Sequence, residues 1–548
     1  MAELVLGPLL RHVGERDATV WVEVDEACEV EVLGHTEPTF CVDGHHYALV
    51  CITGLEPGTQ TEYEVSLDGE RRWPVAESGF PASQIRTLDP ERPLRVSFGS
   101  CRVALPMRAP YVFTKDENGD GAEVDALHVY AHELMRDSDN RWPDLFLLLG
   151  DQIYVDEGSP ATREFIRSRR DVSEPPGTEV VDFEEYTRLH WESWSEPYVR
   201  WLFSTVPTAM VIDDHDISDD WNISRSWKEE MDAKAWWHRR VEAGFMTYWI
   251  YQHVGNLSPD ALAEDETYAR VRESRDDAGS VLRDYARRAY ENREGIRWSY
   301  RRDLCDTRVI VMDSRGGRVL EEGRRSIFDD EERDWVWEQA EGDFDHLLIA
   351  TSDPFLLSHA LHDLEAWSEA VCDGAWGGPA ARLTEKLRRA EDFDHWASFG
   401  RSFRSLSRLL RDVGASKERT PPASIVVLAG DVHHAYLAEV GFPAGSGVQS
   451  HVYQAVCSPF RNPLDKRERR VIRALFRKGA AKLTRGLARA AGVEPPEIGW
   501  RFLDGPYFDN QVASLTLDGR SAQIKLEKTR PGEAEERSLE TSFERRLA

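Results

Sequence analysis

The first 90 residues alternate apolar and polar positions over short runs. Residues 18–24, 28–33 and 63–67 place apolar side chains at about every second position, which is the period of a half-buried β-strand. Turn-forming dipeptides such as Asp68-Gly69 separate these runs. Short strands at this spacing predict an N-terminal all-β sandwich of immunoglobulin or fibronectin type over residues 1–90.

From about residue 92 the chain changes to continuous apolar runs, separated by long charged segments with helical spacing. Continuous runs are typical of strands that are buried on both faces, as in α/β proteins. The runs occupy residues 94–98, 145–149, 209–212, 309–312, 347–350 and 425–428. Helical segments are predicted at residues 124–136, 228–252, 259–293 and 380–413. We therefore predict an α/β catalytic domain over residues 92–548.

Two C-terminal segments have patterns of their own. Residues 465–492 are rich in Arg and Lys at helical spacing, with an apolar stripe that includes Leu475 and Leu483. Such a basic amphipathic helix can contact a membrane or a partner, but in an acidic chain we expect it to pack on its own domain. Residues 512–528 alternate around Asp-Gly and predict a β-hairpin that caps the sheet system.

The net charge restricts the possible partners. The chain has 548 residues, with 68 Lys and Arg against 98 Asp and Glu, so its formal net charge is −30. A surface of this sign repels phosphates, which argues against a nucleic-acid scaffold or an anionic-membrane binder. The net charge does not exclude a local site where bound cations make the electrostatic potential positive. Because no run reaches the ~18 apolar residues of a membrane span, no transmembrane segment is predicted.

The cysteine pattern and the N-terminus predict a cytoplasmic location. Seven cysteines are present without a Cys-x-x-Cys pair, which favours free thiols in a reducing compartment. The first residues lack the basic and apolar regions of a secretory signal, and no twin-arginine motif precedes the first strands.

The residues that follow the six apolar runs carry the candidate chemistry. They are Cys101-Arg102, Asp151 with Tyr154, Asp213 to Asp216, Asp313 to Arg315, Thr351 to Asp353, and Asp431 with His433 and His434. Because functional loops gather at the carboxyl ends of parallel strands, we expect these groups to converge. Carboxylates, imidazoles, a thiol and a phenol are the donors of a site with two or three metals. The thiolate and phenolate favour ferric iron over magnesium.

Each of these residues also has a simpler explanation. Asp151 could be a helix N-cap, Cys101 and Tyr154 could be core residues, and Arg102 and Arg315 could form plain salt bridges. However, a run of acids around His215 directly after a buried strand is costly without a cation. The combination therefore favours a metal site over any one residue's simpler role.

Four motifs in this order resemble the alkaline phosphatase D-like metallophosphatases of the calcineurin-like phosphoesterase superfamily. They are Phe98-Gly99-Ser100-Cys101-Arg102, Gly150-Asp151-Gln152-Ile153-Tyr154, Asp213-Asp214-His215-Asp216 with Asp220-Trp221, and Gly430-Asp431-Val432-His433. The segments Pro354-Phe355-Leu356-Leu357 and Asp394-His395-Trp396 are also similar to the family. The resemblance implies an α/β fold in which two β-sheets form a sandwich flanked by helices, preceded by the N-terminal sandwich. It also implies hydrolysis of phosphomonoesters and phosphodiesters.

The resemblance also implies roles for individual residues. Some members use iron with calcium, which places Cys101, Asp151 and Tyr154 on the iron, with Asp151 bridging to a second metal. Asp431 and His433 then complete the metal shell. Manganese, zinc and magnesium are the alternative metals.

Further roles follow from the motif around residue 215. Asp214 takes the place of a metal-binding asparagine, and His215 takes the place of a histidine that donates a proton or stabilises the transition state. Asp219 and Asp220 stand where many members have asparagine, and Asp220 is taken as a further candidate ligand. Arg102 is expected to stabilise the charge on the phosphate oxygens.

We therefore predict a metal-dependent hydrolase that acts on a small phosphoester with an activated water as nucleophile. One alternative is a phosphodiesterase or phospholipase-D-like enzyme for larger substrates, with Trp191, Trp194, Trp201 and Trp221 shaping the pocket. The other alternative is a non-catalytic binding or scaffolding protein whose strand-end acids are structural.

Overall fold

The computed structural model describes residues 1–137, 142–274, 276–291, 293, 295–532 and 537–548. Its N-terminal region is all-β. The strands are β1 (Leu4–Val13), β2 (Asp17–Val24), β3 (Glu29–Val32), β4 (His35–Pro38), β5 (Phe40–Val42), β6 (His45–Thr53), β7 (Gln60–Glu62), β8 (Val65–Leu67), β9 (Glu70–Trp73) and β10 (Gln84–Arg86). Two four-stranded sheets, β1-β2-β6-β5 and β4-β3-β8-β9, share one core that includes Val20, Val50, Val30 and Val65. This region is the all-β sandwich that the alternating pattern predicts.

The α/β region begins with β11 and runs to the C-terminus. Its first half contains β11 (Leu94–Gly99), α1 (Ala126–Arg136), β12 (Leu145–Leu149), α2 (Pro160–Arg169), α3 (Phe183–Trp194), α4 (Pro197–Thr205), β13 (Thr208–Val211), α5 (Arg225–Asp232), α6 (Trp237–Thr247), α7 (Pro259–Glu264), α8 (Glu266–Glu273), α9 (Gly279–Glu291) and β14 (Tyr300–Leu304).

Its second half contains β15 (Thr307–Met312), α10 (Asp330–Gln339), β16 (His346–Thr351), α11 (His359–Cys372), α12 (Gly378–Ala390), α13 (Gly400–Gly414), β17 (Ser424–Ala429), β18 (Ala435–Gly441), β19 (His451–Val456), α14 (Lys466–Leu475), α15 (Lys478–Ala490), β20 (Gly499–Tyr507), β21 (Gln511–Asp518), β22 (Ser521–Lys528) and β23 (Glu540–Arg546). No helix in the described ranges combines the length and the apolarity that a membrane crossing requires.

Two sheets of this region face each other across an apolar core. One has the order β13-β12-β11-β21-β22-β23, and the other has the order β14-β15-β16-β17-β19-β18-β20. The strands β11, β12 and β13 are parallel, as are β15, β16, β17 and β19. Phe98 and Leu147 of the first sheet lie in the same buried cluster as Val311, Leu348 and Leu428 of the second. The predicted two-sheet sandwich flanked by helices is confirmed.

Helices cover the outer faces because the strands are apolar on both sides. Ile310, Ile349 and Val427 on the outer face of the second sheet share a cluster with Leu406 and Leu410 of α13. On the first sheet, α1, α3, α4 and α6 pack in a cluster that also includes N-terminal residues such as Trp21. The N-terminal sandwich is thereby packed against the helices of the α/β region.

Four helical segments are shorter than the sequence pattern predicts. Residues 228–252 contain the end of α5, then α6 and a π-helical turn, and residues 259–293 contain three helices. Residues 380–413 are split between α12 and α13, and residues 465–492 form α14 and α15 instead of one helix. Periodicity alone does not detect these breaks, since the apolar spacing continues across them.

Candidate metal centre

The predicted ligands meet where the carboxyl ends of strands from both sheets come together. Cys101 follows β11, Asp151 follows β12 and Asp214 follows β13, all in the first sheet, whereas Asp431 and His433 follow β17 of the second. Three groups of these residues hold their possible ligand atoms within 4.8 Å of one another. The groups are Cys101–Asp151–His433, Asp151–Asp214–His215 and Asp151–Asp213–Asp214–Asp431. Asp151 belongs to all three and lies at the centre of the site.

Tight turns aim these side chains into one space. Cys101, Asp151, Asp431 and His433 all have positive φ, between 50° and 63°. A non-glycine residue in this region costs about 1 kcal/mol or more, so the surrounding structure holds the backbone in place. Gly430 has no space for a side chain, because a Cβ there would collide with the Ser100 hydroxyl. The backbone of both loops is therefore packed closely at the site.

Several carboxylate oxygens of the site are buried without a hydrogen-bond partner. They are Oδ1 of Asp151, Oδ2 of Asp213 and Oδ1 of Asp214. Burial raises the pKa of Asp151 well above its usual range, and the charges of Asp214 and Asp431 raise it further against the opposing effect of His215. Unpartnered buried carboxylates are costly, and a bound cation removes that cost. This donor set fits metal ions.

Cys101 and Tyr154 both lie beside Asp151. The Tyr154 hydroxyl donates to Asp151 Oδ2 at 3.1 Å, and the Ser458 hydroxyl donates to Cys101 Sγ at 3.1 Å. Burial raises the pKa of the Cys101 thiol well above its usual value, and the charges of Asp151 and Asp431 add to this. The thiol therefore keeps its proton until a cation replaces it.

His215 is oriented by an aspartate that the sequence analysis did not identify. His215 Nδ1 lies 2.9 Å from Asp156 Oδ1, and its ring lies against that of Tyr154, with centroids 4.4 Å apart. Burial alone lowers the pKa of His215, but the carboxylates of Asp156 and Asp214 outweigh it and raise the pKa well above its usual value. The imidazole therefore carries a proton and faces the ligand cluster. Asp156 lies five residues after Asp151, and no motif distinguishes it from a surface acid.

Asp220 lies apart from the three ligand groups, within the part of the chain that the structure describes. Its side chain lies beside Asp392, and its backbone N–H donates to Asp214 Oδ2 at 3.1 Å. Burial and the charges of Asp392 and Asp394 raise the pKa of Asp220 to about 9. The structure thus gives Asp220 a backbone contact with the candidate ligand Asp214 and places its carboxyl in a separate acidic group.

Arg102 points away from the ligand cluster. Its guanidinium donates to Asp125 Oδ2 at 2.9 Å and to the Ser193 hydroxyl at 3.3 Å, and it is only 5% exposed. This buried ion pair fixes the loop after β11 against the start of α1, where Asp125 is the N-cap. The expected role of Arg102 in contacting phosphate oxygens stays a prediction, and the structure shows its guanidinium engaged with Asp125 and Ser193.

Arg315 lies within the acidic cluster instead. Its guanidinium lies 2.6 Å from Asp213, 3.0 Å from Asp353 and 3.3 Å from Asp431, and it also contacts Asp394. Arg318 also pairs with Asp353 at 2.8 Å and with Asp394 at 3.1 Å, and the two guanidinium groups neutralise only part of the charge of these carboxylates. The remaining charge lies around Asp151, where it favours metal binding.

His395 forms a second histidine–carboxylate contact at the site. Its Nε2 lies 3.3 Å from Asp431 Oδ2, and its Nδ1 lies 2.8 Å from Glu365 Oε1. The segment around His395 resembles the family in sequence, but no sequence pattern indicates a role for this residue. Its place beside Asp431 makes it a residue that orients a candidate ligand.

Three of the four tryptophans considered for a substrate pocket lie in the core. Trp194, Trp201 and Trp221 are at most 2% exposed, and Trp191 is a partly exposed residue that packs against the guanidinium of Arg188. Large aromatic side chains in an apolar core stabilise the fold by burial. These residues do not shape a pocket for a larger substrate, which corrects that part of the prediction.

Comparisons with known proteins agree with this geometry. A model of the PhoD-like phosphatase family matches residues 121–276, and a domain of unknown function (DUF7800) matches residues 1–85. A solved structure of PhoD aligns with 99% of this chain and 92% of that chain, at 13% sequence identity and a TM-score of 0.60. A maltogenic amylase structure from S. marinus aligns at 8% identity over 95% of this chain and 76% of that chain, with a TM-score of 0.18 that supports no conclusion. No curated protein matches the chain.

The resemblance to PhoD-like phosphatases is confirmed, and the chain is a phosphoric ester hydrolase. The matched segment contains Asp151, Tyr154, Asp214 and His215. The alternative of a non-catalytic scaffolding protein is therefore wrong. The acidic and histidine groups agree with the metal dependence of the family.

Proposed function

We propose that this chain hydrolyses phosphomonoesters, phosphodiesters or both, at a centre of at least two metal ions on either side of Asp151. The observation that carries this proposal is the shared position of Asp151, whose carboxylate belongs to three ligand groups and keeps one oxygen unpartnered. A carboxylate with ligand groups on both sides is suited to bridging two cations.

The donor sets on the two sides of Asp151 support different metals. Cys101, Tyr154 and His433 lie on one side and would hold a transition metal, for which iron is our first choice because thiolate and phenolate ligands are present. Asp214 and Asp431 lie on the other side and offer hard oxygen ligands that suit calcium, with manganese, zinc and magnesium as alternatives. When bound, the metals supply positive charge for the phosphate oxygens and lower the pKa of the attacking water.

His215 holds the proton that the leaving group requires. Its ring faces the cluster while Asp156 stabilises the protonated form, so the Nε2 proton is available for the departing alkoxide oxygen. Asp156 acts through His215 and is a positioning residue.

The test is hydrolysis of p-nitrophenyl phosphate and bis-p-nitrophenyl phosphate by purified protein loaded with iron and calcium, or with manganese, zinc or magnesium. We expect turnover with at least one metal combination and loss of turnover with a chelator. The ratio of the two rates separates phosphomonoesterase from phosphodiesterase or phospholipase-D-like activity. Absence of turnover with every metal would contradict the proposal.

We also propose that the enzyme works in the cytoplasm. The support is that all seven cysteines are free thiols in the structure, which is typical of a reducing compartment. Fractionation of cells that produce the full chain tests this, and recovery outside the cytoplasmic fraction would contradict it.

A further inference from the structure

A cavity of about 710 Å³ opens directly beside the candidate metal centre. One side is lined by charged and polar groups that include Asp214, His215, Asp431 and His433. The volume lies within the range of cavities that bind small organic molecules. It exceeds the space that a phosphate group alone would fill, so the cavity has room for the organic part of an ester.

Apolar residues also line this cavity, beside the charged Arg467 and Glu468 at the start of α14. Among them are Leu361 and Leu364 of α11, together with Val471, Ile472 and Leu475 of α14. We call these five residues the apolar wall. The wall and the candidate metal centre line one continuous cavity, so a single ligand can contact both.

The helix α14 is unusual in how it uses its apolar residues. Among the α-helices in the described ranges, it is the one with no buried residue, and Val471 is 54% exposed. An amphipathic helix normally buries its apolar stripe against the core. In α14, Val471, Ile472 and Leu475 share a side at helical spacing, and that side lines the cavity instead.

Contacts at both ends hold α14 in place. At its start, the Asp465 carboxylate accepts from Glu468 N–H at 2.8 Å, and the Glu468 carboxylate accepts from Asp465 N–H at 2.6 Å. After its end, the Phe476 ring packs against Phe502 and Tyr436, with centroids 4.8 and 6.0 Å apart. The capping box orders the first turn of α14, and the aromatic contacts anchor its end to β18 and β20.

We propose that the apolar wall binds an alkyl or aryl group of the phosphate ester whose phosphate lies at the carboxylate and histidine cluster. This inference rests on the proposed function and narrows its substrate class to phosphate esters of hydrophobic alcohols. Val471 is exposed and the other four wall residues are half-buried in the free enzyme, so covering their remaining apolar surface with such a group is favourable. A polar sugar phosphate would leave them exposed to water.

The test compares n-alkyl phosphates from ethyl to octyl as substrates of the metal-loaded enzyme. We expect kcat/KM to rise about two- to fourfold for each added methylene until the cavity is filled, mainly through a lower KM. The variants Ile472→Asn and Leu475→Asn should each reduce kcat/KM for hexyl phosphate about tenfold, and should reduce kcat/KM for ethyl phosphate by a smaller factor because ethyl phosphate has fewer methylenes to contact the wall. The matched control is Leu483→Asn on α15, since Leu483 is 77% exposed and does not line this cavity; it should behave as the parent enzyme.

Binding separates failure of this inference from failure of the proposed function. Hexylphosphonate and methylphosphonate lack a cleavable ester, so calorimetry with them measures binding to the apolar wall without turnover. Hexylphosphonate should bind at least tenfold more tightly than methylphosphonate. Equal binding, or equal kcat/KM across the alkyl series, would overturn the inference while hydrolysis of ethyl phosphate leaves the proposed function standing. Sedimentation that shows a dimer lost in Ile472→Asn would assign the wall to a second copy of the chain and would also overturn it.

Discussion

His215 and Asp156 form a partly buried ion pair at the edge of the metal centre, with Nδ1 2.9 Å from Oδ1. The second carboxylate oxygen of Asp156 accepts the backbone N–H of Asp219 at 2.9 Å. The loop after β12 therefore supplies the central carboxylate, Asp151, and also the carboxylate that orients the histidine of the loop after β13. Burial raises the pKa of Asp156, but the charge and hydrogen bond of His215 outweigh this and lower it.

Replacing Asp156 with Asn should weaken proton donation by His215. The imidazolium loses its charged partner, so the His215 pKa falls and kcat falls about 10- to 100-fold, within the usual contribution of acid catalysis. Since a raised pKa keeps His215 protonated toward high pH, the high-pH decline of kcat should move to lower pH in the variant. Profiles of kcat against pH for parent and variant measure both effects.

The leaving group provides the control for this prediction. A p-nitrophenolate leaves without much help from an acid, so Asp156→Asn should slow ethyl phosphate more than p-nitrophenyl phosphate. Asp171→Asn, at an exposed position, should change neither rate. An equal loss on both substrates with an unmoved pH profile would indicate that Asp156 only stabilises the fold.

Metal binding at Cys101 should release a proton. Burial and the neighbouring carboxylates raise the thiol pKa well above its usual value, so the cation must displace the proton to bind the thiolate. We expect affinity for a transition metal to rise as pH rises from 6 to 8, by up to about tenfold per pH unit for one proton. Competition titrations at three pH values measure the metal affinity. Calorimetry in buffers of different ionisation enthalpy measures how many protons are released when the metal binds.

The variant Cys101→Ser should lose most of this pH dependence and bind iron or zinc more weakly, because oxygen replaces sulfur. Cys305→Ser removes a half-buried thiol outside the ligand groups and should keep the parent's affinity. If both variants bind metal like the parent, Cys101 is not a ligand.

Loss of the Arg315 charge should destabilise the protein strongly. Its guanidinium pairs with Asp213, Asp353 and Asp431 at distances of 2.6–3.3 Å. Arg315→Met removes the cation paired with buried Asp213, and it leaves Asp353 with Arg318 alone and Asp431 with His395 alone. We expect the free energy of unfolding to fall by about 3–5 kcal/mol, as measured by urea denaturation of the metal-free protein. Arg297→Met removes a loose surface pair with Glu331 at 3.8 Å and should cost about 0.5 kcal/mol. Similar losses in both variants would refute the role given to Arg315.

The strands and the converging ligands could be predicted because their signals are local. The apolar run at 145–149 is the strand β12 residue for residue, and Asp151 stands two residues beyond it. Parallel strands of one sheet deliver their following loops to one edge, so the convergence of Cys101 and Asp151 follows from order along the chain, whereas that of Asp431 also requires the two sheets to face each other. That geometry needs no knowledge of side-chain packing.

The partners of these residues could not be predicted, because they depend on long-range packing. His395 reaches Asp431 from the segment between α12 and α13, and Glu365 reaches His395 from α11. The sequence predicts a contact between Arg102 and the substrate phosphate, but the structure shows its guanidinium paired with Asp125. Sequence spacing does not determine which of two nearby charged groups an arginine contacts.

The metal-free protein should lose stability as pH rises. The folded state raises the pKa of Asp220 to about 9, chiefly through burial and then through the charges of Asp392 and Asp394, whereas this carboxyl ionises near pH 4 in the unfolded chain. Above about pH 7, where the buried neutral histidines no longer make the unfolded state take up more protons, Asp220 makes the folded state bind more protons up to about pH 9, and the free energy of unfolding falls as pH rises through that window.

Urea denaturation in chelator at pH 6, 7, 8 and 9 measures this slope. Asp220→Asn should flatten it and stabilise the metal-free protein at pH 8 by about 1 kcal/mol, because the ionised carboxylate beside Asp392 is gone. The exposed-site variant Asp171→Asn should leave the slope unchanged. If the free energy of unfolding of the parent rises with pH above about pH 7, that result would contradict the charge distribution described for the loop around Asp220.

The central claim is that Asp151 bridges two metal ions, and anomalous scattering from crystals of the metal-loaded enzyme tests it most directly. We predict two metal peaks on opposite sides of the Asp151 carboxylate, one of them within bonding distance of Cys101 Sγ. Crystals of Asp151→Asn should lack at least one of these peaks. A single metal away from Asp151, or two peaks unchanged in Asp151→Asn, would contradict the account.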